Sequence, residues 1–452
     1  MNQYDIIVVG AGLAGLCAAI SVVENSIDKK VLLLEQESQA GGNSAKASSG
    51  INWCDSKAEE ADLLNDTLRS ARDRATPLTS LLIKDSAEAR RFLERHSVGW
   101  LAPATRCGGH SNAVTHAAAQ ATSIETGTAR NTGWELIAGL QAALQQKFAS
   151  RVTLRTNCRV ASLLQKDKKV CGVKLANNNA GDGSAGEHIY ASCAIVLATG
   201  GFSANQKMLK SCCAGGGGSS MRVLSTTNGQ CAQGSGIIMA QFVGAQTSDL
   251  DCVQVHPTAF VDEQNERAPQ KFLAPEALRA AGAVMLHPET GNRFVDELQT
   301  RDAVVASMLA NLSARSQYSC HLVLTGEQAL HFAALPFYLS KKLIRRVDGG
   351  KSALATVLKV SSVQVAESSH YFVARVCPSV HYTMGGVTID SNGQVLNAYN
   401  VPIERLFACG EVTGGIHGRN RLAGNSLLDC VVFGIRAGKA CARLSKLAAR
   451  HQ

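Results

Sequence analysis

The sequence predicts an α/β protein, a parallel-sheet nucleotide fold interrupted by an inserted α+β domain. Three observations predict it. The apolar run Ile6-Ile7-Val8-Val9 leads straight into Gly10-Ala-Gly12-Leu-Ala14-Gly15 and then into an apolar, helix-favouring stretch. A second apolar run, Val31-Leu-Leu-Leu34, ends in Glu35, about twenty residues past the last glycine. This pattern is lost near Asp251 and returns near His381, where Leu406-Phe-Ala-Cys-Gly410-Glu411 is again an apolar run entering a glycine turn.

Each part of the first unit has a physical reason. Gly10 permits the tight turn, Gly12 and Ala14 let backbone approach a pyrophosphate, and Gly15 lets the helix pack close to the strand. The helix N-terminus presents unpaired N–H groups and the positive end of its dipole to the phosphates. Glu35 falls where ribose hydroxyls are read. A glycine turn alone is also an ordinary structural turn; two strands and the acid in register favour a bound dinucleotide.

Further along, Gly41-Gly42-Asn43-Ser44 through Ser49-Gly50 is rich in small residues, as expected of a loop lying against a flat ligand. Residues 58–96 carry helical periodicity and read as scaffold. A helix is expected over 134–148. Residues 152–199 read as a small antiparallel meander of four strands, with mobile glycine-rich turns at 177–186 and 214–220. The last of these strands ends in Ala198-Thr199-Gly200-Gly201, a second close approach of backbone to a ligand. Glu276 and Arg279 stand three apart, on one face if helical. Asn292 to Asp302 reads as a strand-like apolar centre with charged ends. The expected organisation is a nucleotide domain over 1–250 and 381–452, with residues 251–380 inserted. Asn425-Ser426-Leu427 opens the last helix, which the order of segments returns to the nucleotide site.

Composition narrows the function. At 452 residues the chain exceeds one ordinary core. No apolar run approaches the roughly 18 residues that span a bilayer, and the first strand begins too early for a secretory leader. The 15 cysteines form no C-x-x-C, so no zinc ribbon, iron–sulfur or haem ligation, nor any other metal site, is expected. Reduced thiols are expected, with adjacent Cys212 and Cys213 incidental. The net charge of +9 is not gathered into basic runs with aromatics, which excludes nucleic acid as partner but suits a small anion.

Taken together, G-A-G-L-A-G, G-G-N-S, A-T-G-G, Gln254-Val-His256-Pro-Thr258, Thr300-Arg301-Asp302, His381-Tyr-Thr-Met-Gly-Gly and Gly410-Glu-Val-Thr-Gly-Gly-Ile-His-Gly-Arg-Asn-Arg421-Leu-Ala-Gly-Asn425-Ser resemble the soluble fumarate reductases of the succinate dehydrogenase/fumarate reductase flavoprotein family. The resemblance covers nearly the whole chain. It implies FAD as cofactor, with the inserted domain a mobile cap. Asn43 stands where membrane-complex members carry the histidine that links FAD, which implies a non-covalent cofactor. The chain resembles the bare yeast-type or kinetoplastid-type core, without haem.

The resemblance also implies roles. Fumarate is a flat dianion, and arginine and histidine donors suit carboxylates. Arg421 and His381 match the holders of one carboxylate, and His256 the holder of the other. Arg301 matches the proton donor, although arginine is too weak an acid to be ideal at neutral pH unless burial and a neighbouring cation ease its deprotonation. Glu276 and Arg279 match the relay that reprotonates it; an ordinary salt bridge is the plain alternative. Two departures stand out. Pro275 replaces a hydroxyl residue used on the substrate: either Thr258 or a backbone group substitutes, or substrate binding is weaker or altered. Ser235 replaces an aspartate, a change expected to affect scaffold more than chemistry.

The expected function is therefore FAD-dependent reduction of fumarate to succinate, with Arg301 giving the proton. The rivals are a reductase of another unsaturated acid, urocanate-like, and a FAD-binding protein without turnover. Arg421 argues against the first, and retention of all four of His256, Arg301, His381 and Arg421 against the second. No second nicotinamide site is legible, so reduced flavin or a partner reductase is the expected electron donor. No membrane partner is expected. The expected compartment is the cytoplasm, with mitochondria or another organelle as alternatives.

Overall fold

The computed structural model describes residues 4–96, 98–100, 103–119, 131–176, 187–213, 224–332 and 334–445; the turns expected at 177–186 and 214–220 lie outside them. The chain opens with β1 (Tyr4–Val9), α1 (Leu13–Glu24) and β2 (Val31–Leu34). β1 and β2 pair in parallel, Ile6 opposite Val31. A Cβ on Gly15 would lie 1.9 Å from the carbonyl oxygen of Gly10, so only glycine lets α1 sit this close to the strand it follows. Helices α2 (Lys57–Ala71), α3 (Pro77–Lys84), α4 (Ser86–Arg95) and α5 (Thr132–Lys147) are the expected scaffold. Ser56 and Glu59 cap the first of them reciprocally.

The next strands correct an expectation. β3 (Val152–Arg155), β4 (Val160–Lys166), β5 (Lys169–Leu175) and β6 (His188–Leu197) are present, but only the middle of the run is a meander. β3 pairs in parallel with β2, and β6 in parallel with β1. The reason lies within β6. Its first residues alternate between exposed and buried and pair antiparallel with β5, whereas Ala194 to Leu197 are buried without interruption, as a strand covered on both faces must be.

After α6 (Gln206–Cys212) and α7 (Ser235–Phe242) the chain leaves this sheet. β7 (Val253–Phe260), α8 (Glu276–Ala280), β8 (Val284–Leu286), α9 (Arg301–Asn311), β9 (Cys320–Thr325), β10 (Arg345–Asp348), α10 (Gly350–Leu358) and β11 (His370–Thr383) build a second, antiparallel sheet ordered β7-β11-β9-β8, with β10 also on β11. Both faces are covered. Leu322 and Leu324 of β9 join one apolar cluster and Val323 between them joins another. The strand-like centre expected between Asn292 and Asp302 is not a strand: the segment is irregular, and Arg301 is the first residue of α9. Its polar neighbours are tied instead to local partners, Glu297 accepting from Met285 N at 2.8 Å.

β11 runs unbroken to Thr383 and stays paired with β7, Tyr382 opposite Gln254 and Val380 opposite Val255, so His381 sits at a shift of register at the end of the second sheet. β12 (Gln394–Leu396), β13 (Pro402–Ala408) and α11 (Asn425–Arg443) then complete the first sheet, ordered β12-β13-β6-β1-β2-β3 with β4 and β5 appended to β6. α11 lies against α1 and buries most of its own residues. The fold is α/β, a Rossmann-type parallel sheet with a second, antiparallel sheet inserted. No described helix is long and apolar enough to cross a membrane.

Candidate active site

The carboxyl ends of β1, β2, β6 and β13 open onto one cavity, as ligand sites do in open α/β sheets. Its first half is built from backbone. Gly10, Gly12, Ala14, Glu35, Gly42, Asn43, Ser44, Ser49, Gly50, Ala198, Thr199, Gly200, Glu411, Ser426 and Leu427 all line it. Residues that would fill it are absent by choice of side chain. A Cβ on Gly200 would meet nothing within 4 Å, and one on Gly12 nothing nearer than 3.8 Å, so both would project into the space a ligand needs. The N-terminal end of α1 begins at Gly12 and faces this space. Glu35 ties the turn to the sheet: one oxygen accepts from Ala11 N at 2.8 Å, the other from Glu37 N at 3.0 Å. Asn43 Oδ1 accepts from Gly229 N at 2.9 Å. This cradle fits a dinucleotide. Three of the expected residues shape it without lining it. Gly15 and Gly410 make close backbone approaches, a Cβ on Gly410 coming within 2.8 Å of Ala14. Asn425 turns its amide away, to Asn52 at 2.7 Å and Thr67 at 3.3 Å.

The second half is built from side chains. Arg301, at the start of α9, and Arg421, in the loop before α11, both reach the cavity. Each donates to the same atom, Gln254 Oε1, at 2.9 Å. Gln254 Nε2 in turn donates to the Arg421 carbonyl at 2.6 Å and to Asn420 Oδ1 at 3.0 Å. Two guanidiniums that would repel each other are thus held side by side through one neutral oxygen. Arg421 also lies over the Tyr382 ring, 4.5 Å from its centroid. Burial and the charge of Arg301 push the Arg421 guanidinium down to about 9. Its Nε is buried without a partner, a donor available to an anion.

His381 completes this wall, with Thr227 Oγ1 2.7 Å from its Nδ1. His256 stands behind it, ring centroids 5.1 Å apart, fully buried and outside the cavity lining. Burial, then the nearby cations, holds both imidazoles well below their ordinary value, so both are neutral at physiological pH. His256 Nδ1 lies 3.0 Å from the Thr258 carbonyl and 3.2 Å from Thr258 N, and its Nε2 is buried with no protein partner. Thr258 does not replace the hydroxyl missing at Pro275, because its Oγ1 donates to the Ala274 carbonyl at 2.9 Å.

Behind Arg301 the charges continue inward. Arg301 Nε donates to Glu276 Oε2 at 2.7 Å, and Arg279 Nη2 lies 3.3 Å from the same oxygen. Gly108 N donates to the other oxygen at 2.7 Å. Burial alone would raise the Glu276 carboxyl; the two guanidiniums and these hydrogen bonds outweigh it and hold it at about 2. Glu276 and Arg279 share α8, which is why a spacing of three brings them together. Glu411, also lining the cavity, moves the other way: burial raises it to about 7, although it accepts from Thr383 N at 3.0 Å.

Sequence reasoning missed Gln254, Tyr382 and Thr227 as parts of this site. Gln254 was legible, since it sits two residues before His256 on a strand, where alternate side chains share a face. Thr227 and Tyr382 carried no local signal. Ser235 lines the cavity.

Comparison with known proteins places this geometry. The model of the FAD binding domain family matches residues 5–427. Fumarate reductase 1 of Saccharomyces cerevisiae is 32% identical over 487 aligned residues, covering 98% of this chain and 99% of the relative. The fumarate reductase of Schizosaccharomyces pombe is 34% identical, covering 97% of this chain and 89% of the relative. Among solved structures, the open conformation of a flavocytochrome c3 fumarate reductase matches with a TM-score of 0.75 at 28% identity, over 97% of this chain and 78% of that one.

Proposed function

This chain belongs to the FAD-binding flavoprotein family, among the fumarate reductases, and we propose that it reduces fumarate to succinate with FAD bound in the glycine cradle. One observation carries the reading beyond cofactor binding: Arg301 and Arg421 converge on Gln254 Oε1 at the wall of the cofactor cavity. Binding FAD requires neither arginine. A flat dicarboxylate requires such a wall, with cations and neutral donors and little water.

Reduced FAD supplies the hydride when bound. The protein's part is to hold the acid and move a proton. Arg421 and His381 hold one carboxylate, using the unpartnered Arg421 Nε. His256, behind His381, turns its unpartnered Nε2 to the other. Arg301 gives a guanidinium proton to the carbon that does not receive hydride. Glu276 and Arg279 pass the replacement inward. Residues 251–380 serve as a cap whose closure excludes water from the hydride step. FAD is held without a covalent bond, since the amide at Asn43 is committed to Gly229 and is not a nucleophile. Electrons arrive from reduced flavin or a partner reductase. All fifteen cysteines are unpaired, which supports a reducing compartment, the cytosol or an organelle.

The test is spectral. The purified protein, reduced with dithionite freed of excess, is mixed with fumarate. Return of the oxidised flavin band with one succinate per flavin is expected. Flavin that stays reduced in excess fumarate would reject the activity, and yellow colour retained in acid-precipitated protein would reject the non-covalent cofactor.

A further inference from the structure

The guanidinium of Arg421 is gripped by two residues that stand opposite each other in the second sheet. Tyr382 on β11 pairs with Gln254 on β7, and facing residues of an antiparallel pair share one side of the sheet. Gln254 Oε1 takes an edge of the guanidinium, accepting from Nη2 at 2.9 Å, while the Tyr382 ring takes its face. Nη1 donates to the Leu422 carbonyl at 3.0 Å, so Nε is the group left over. Behind the ring lies a polar cluster that the reaction described above does not use. The Tyr382 hydroxyl donates to Asp429 Oδ2 at 2.9 Å, and His417 Nε2 lies 3.2 Å from the same oxygen. Asp429 is in the first turns of α11, and His417 stands four residues before Arg421 in the loop that carries both. All three side chains are buried. Asp429 Oδ1 and His417 Nδ1 have no partner among the described residues.

Burying a carboxylate, an imidazole and a phenol together is costly, and only a satisfied, rigid arrangement offsets it. The cluster is not a helix cap: the N-cap of α11 is Gly424, with no side-chain bond. Burial, then the charge of Asp429, holds the Tyr382 hydroxyl well above its ordinary value, so it stays a donor. Burial lowers His417 against the pull of Asp429, so the imidazole stays neutral at physiological pH. A phenol that donates to a carboxylate gains electron density in its ring, and a ring face attracts a cation through that density. We propose that Tyr382 is a positioning residue for substrate binding, acting through Arg421, with Asp429 and His417 as the anchor that fixes its ring. The proposal rests on the fumarate-reducing reading above. No proton moves along the cluster and no bond is made or broken. The ring and Gln254 hold the guanidinium plane before substrate arrives, so a carboxylate meets a donor already in place and less side-chain freedom is lost on binding. α11 turns Ser426, Leu427 and Cys430 to the cofactor cavity and Asp429 to this cluster, so one helix serves the cofactor and the support of the substrate clamp.

A residue that acts through Arg421 leaves a signature that a merely structural one does not. Three variants of the holoprotein dissect the cluster. Tyr382→Phe keeps the ring and loses its anchor, Asp429→Asn keeps the shape and loses the carboxylate, and Tyr382→Leu loses the ring. Fumarate binding to the oxidised protein is read from the flavin absorbance change, and turnover with an excess artificial donor. In Tyr382→Leu, Kd and KM for fumarate should rise at least tenfold. In Tyr382→Phe and Asp429→Asn they should rise about threefold or more. In all three kcat should fall less than KM rises, the mark of lost binding common to ground and transition states, with FAD content unchanged. A double-mutant cycle supplies the deciding comparison. In an Arg421→Lys background the same substitutions should change kcat/KM by less than twofold. Equal losses in both backgrounds would show that the cluster does not act through Arg421 and would overturn the proposal. Tyr382→Phe removes a single oxygen, so it carries the test even where Asp429→Asn fails to fold; a wild-type Kd and KM in Tyr382→Phe would overturn the anchor. Wild-type protein that neither binds nor reduces fumarate ends the functional reading, and this inference with it. Wild-type protein that does both, beside Tyr382 variants of unchanged KM, ends this inference alone.

Discussion

The two halves of the cofactor cavity are made of different material. The cradle is backbone: glycines at strand ends, a helix N-terminus, and side chains notable for being small. The wall beside it is side chain: Arg301, His381 and Arg421, backed by Gln254 and His256, delivered by β7, α9, β11 and the loop before α11. A backbone site is spoiled by adding atoms, whereas a side-chain site is spoiled by removing charge or misplacing a donor. It follows that substitutions in the two halves should fail in separable ways, the first in FAD affinity and the second in turnover.

The largest effect should come from the wall. Arg301→Ala removes the proposed acid, and general acids contribute on the order of 10²–10⁴ to rate. Fumarate reduction with an artificial donor should drop at least that far, with FAD content and fumarate binding to the oxidised protein retained. Arg301→Lys should keep a trace of activity with a shifted pH profile. Near wild-type turnover in Arg301→Ala would erase the distinction between the halves by leaving the proton to water or histidine.

Arg421→Lys keeps charge but loses the fork that reaches Gln254 and the space beside Nε. KM should rise and kcat fall, with a loss of about 10² in kcat/KM, because a misplacement of about 1 Å costs that much. The same residue sets an alkaline limit. With its guanidinium lowered to about 9, KM for fumarate should climb above that pH while the single-turnover hydride step of saturated enzyme changes less. A KM flat to pH 11 would detach Arg421 from the substrate.

In the cradle, Gly12→Val should weaken FAD binding by roughly 10- to 100-fold, the cost of about 1–3 kcal/mol of overpacking against the ligand. The apoprotein should fold normally, since a Cβ there meets no protein atom nearer than 3.8 Å. Fluorescence titration of apoprotein with FAD, beside a thermal melt, reads both. Unchanged affinity would remove Gly12 from the contact surface.

The smallest effect is on acid stability. The folded-state carboxyl of Glu276 at about 2 lies below its unfolded value of 4.5, so its contribution is fully present above 4.5 and is lost as pH falls towards 2, of order 3 kcal/mol. His256 and His381 are lowered as well; the unfolded chain takes up protons that the folded one refuses below pH 6.5, so stability also declines as pH falls from there. Glu276→Gln should flatten the lower part of this profile in urea titrations between pH 5 and 3. An unaltered slope would mean that the pair contributes no linkage.

By itself the sequence determined the cradle and the class of fold. Gly10, Gly12, Gly15, Glu35 and the A-T-G-G and G-E turns are local signals, because a turn's conformation and its clearance to a ligand depend on residues a few positions apart. It also named His256, Arg301, His381 and Arg421 through family resemblance. What it could not decide was pairing. The run at 152–199 carries strand signals throughout, yet β3 and half of β6 join the parallel sheet, a choice made by partners far along the chain. Residues 292–300 look extended in sequence but are irregular, with Arg301 opening a helix. Gln254 as the shared acceptor of both arginines and the Tyr382 ring under Arg421 arise only when β7, α9, β11 and the loop before α11 are brought together. Separations of 47 and 167 residues stand between Gln254 and its two arginines, and no local pattern reports contacts that long-range packing alone creates.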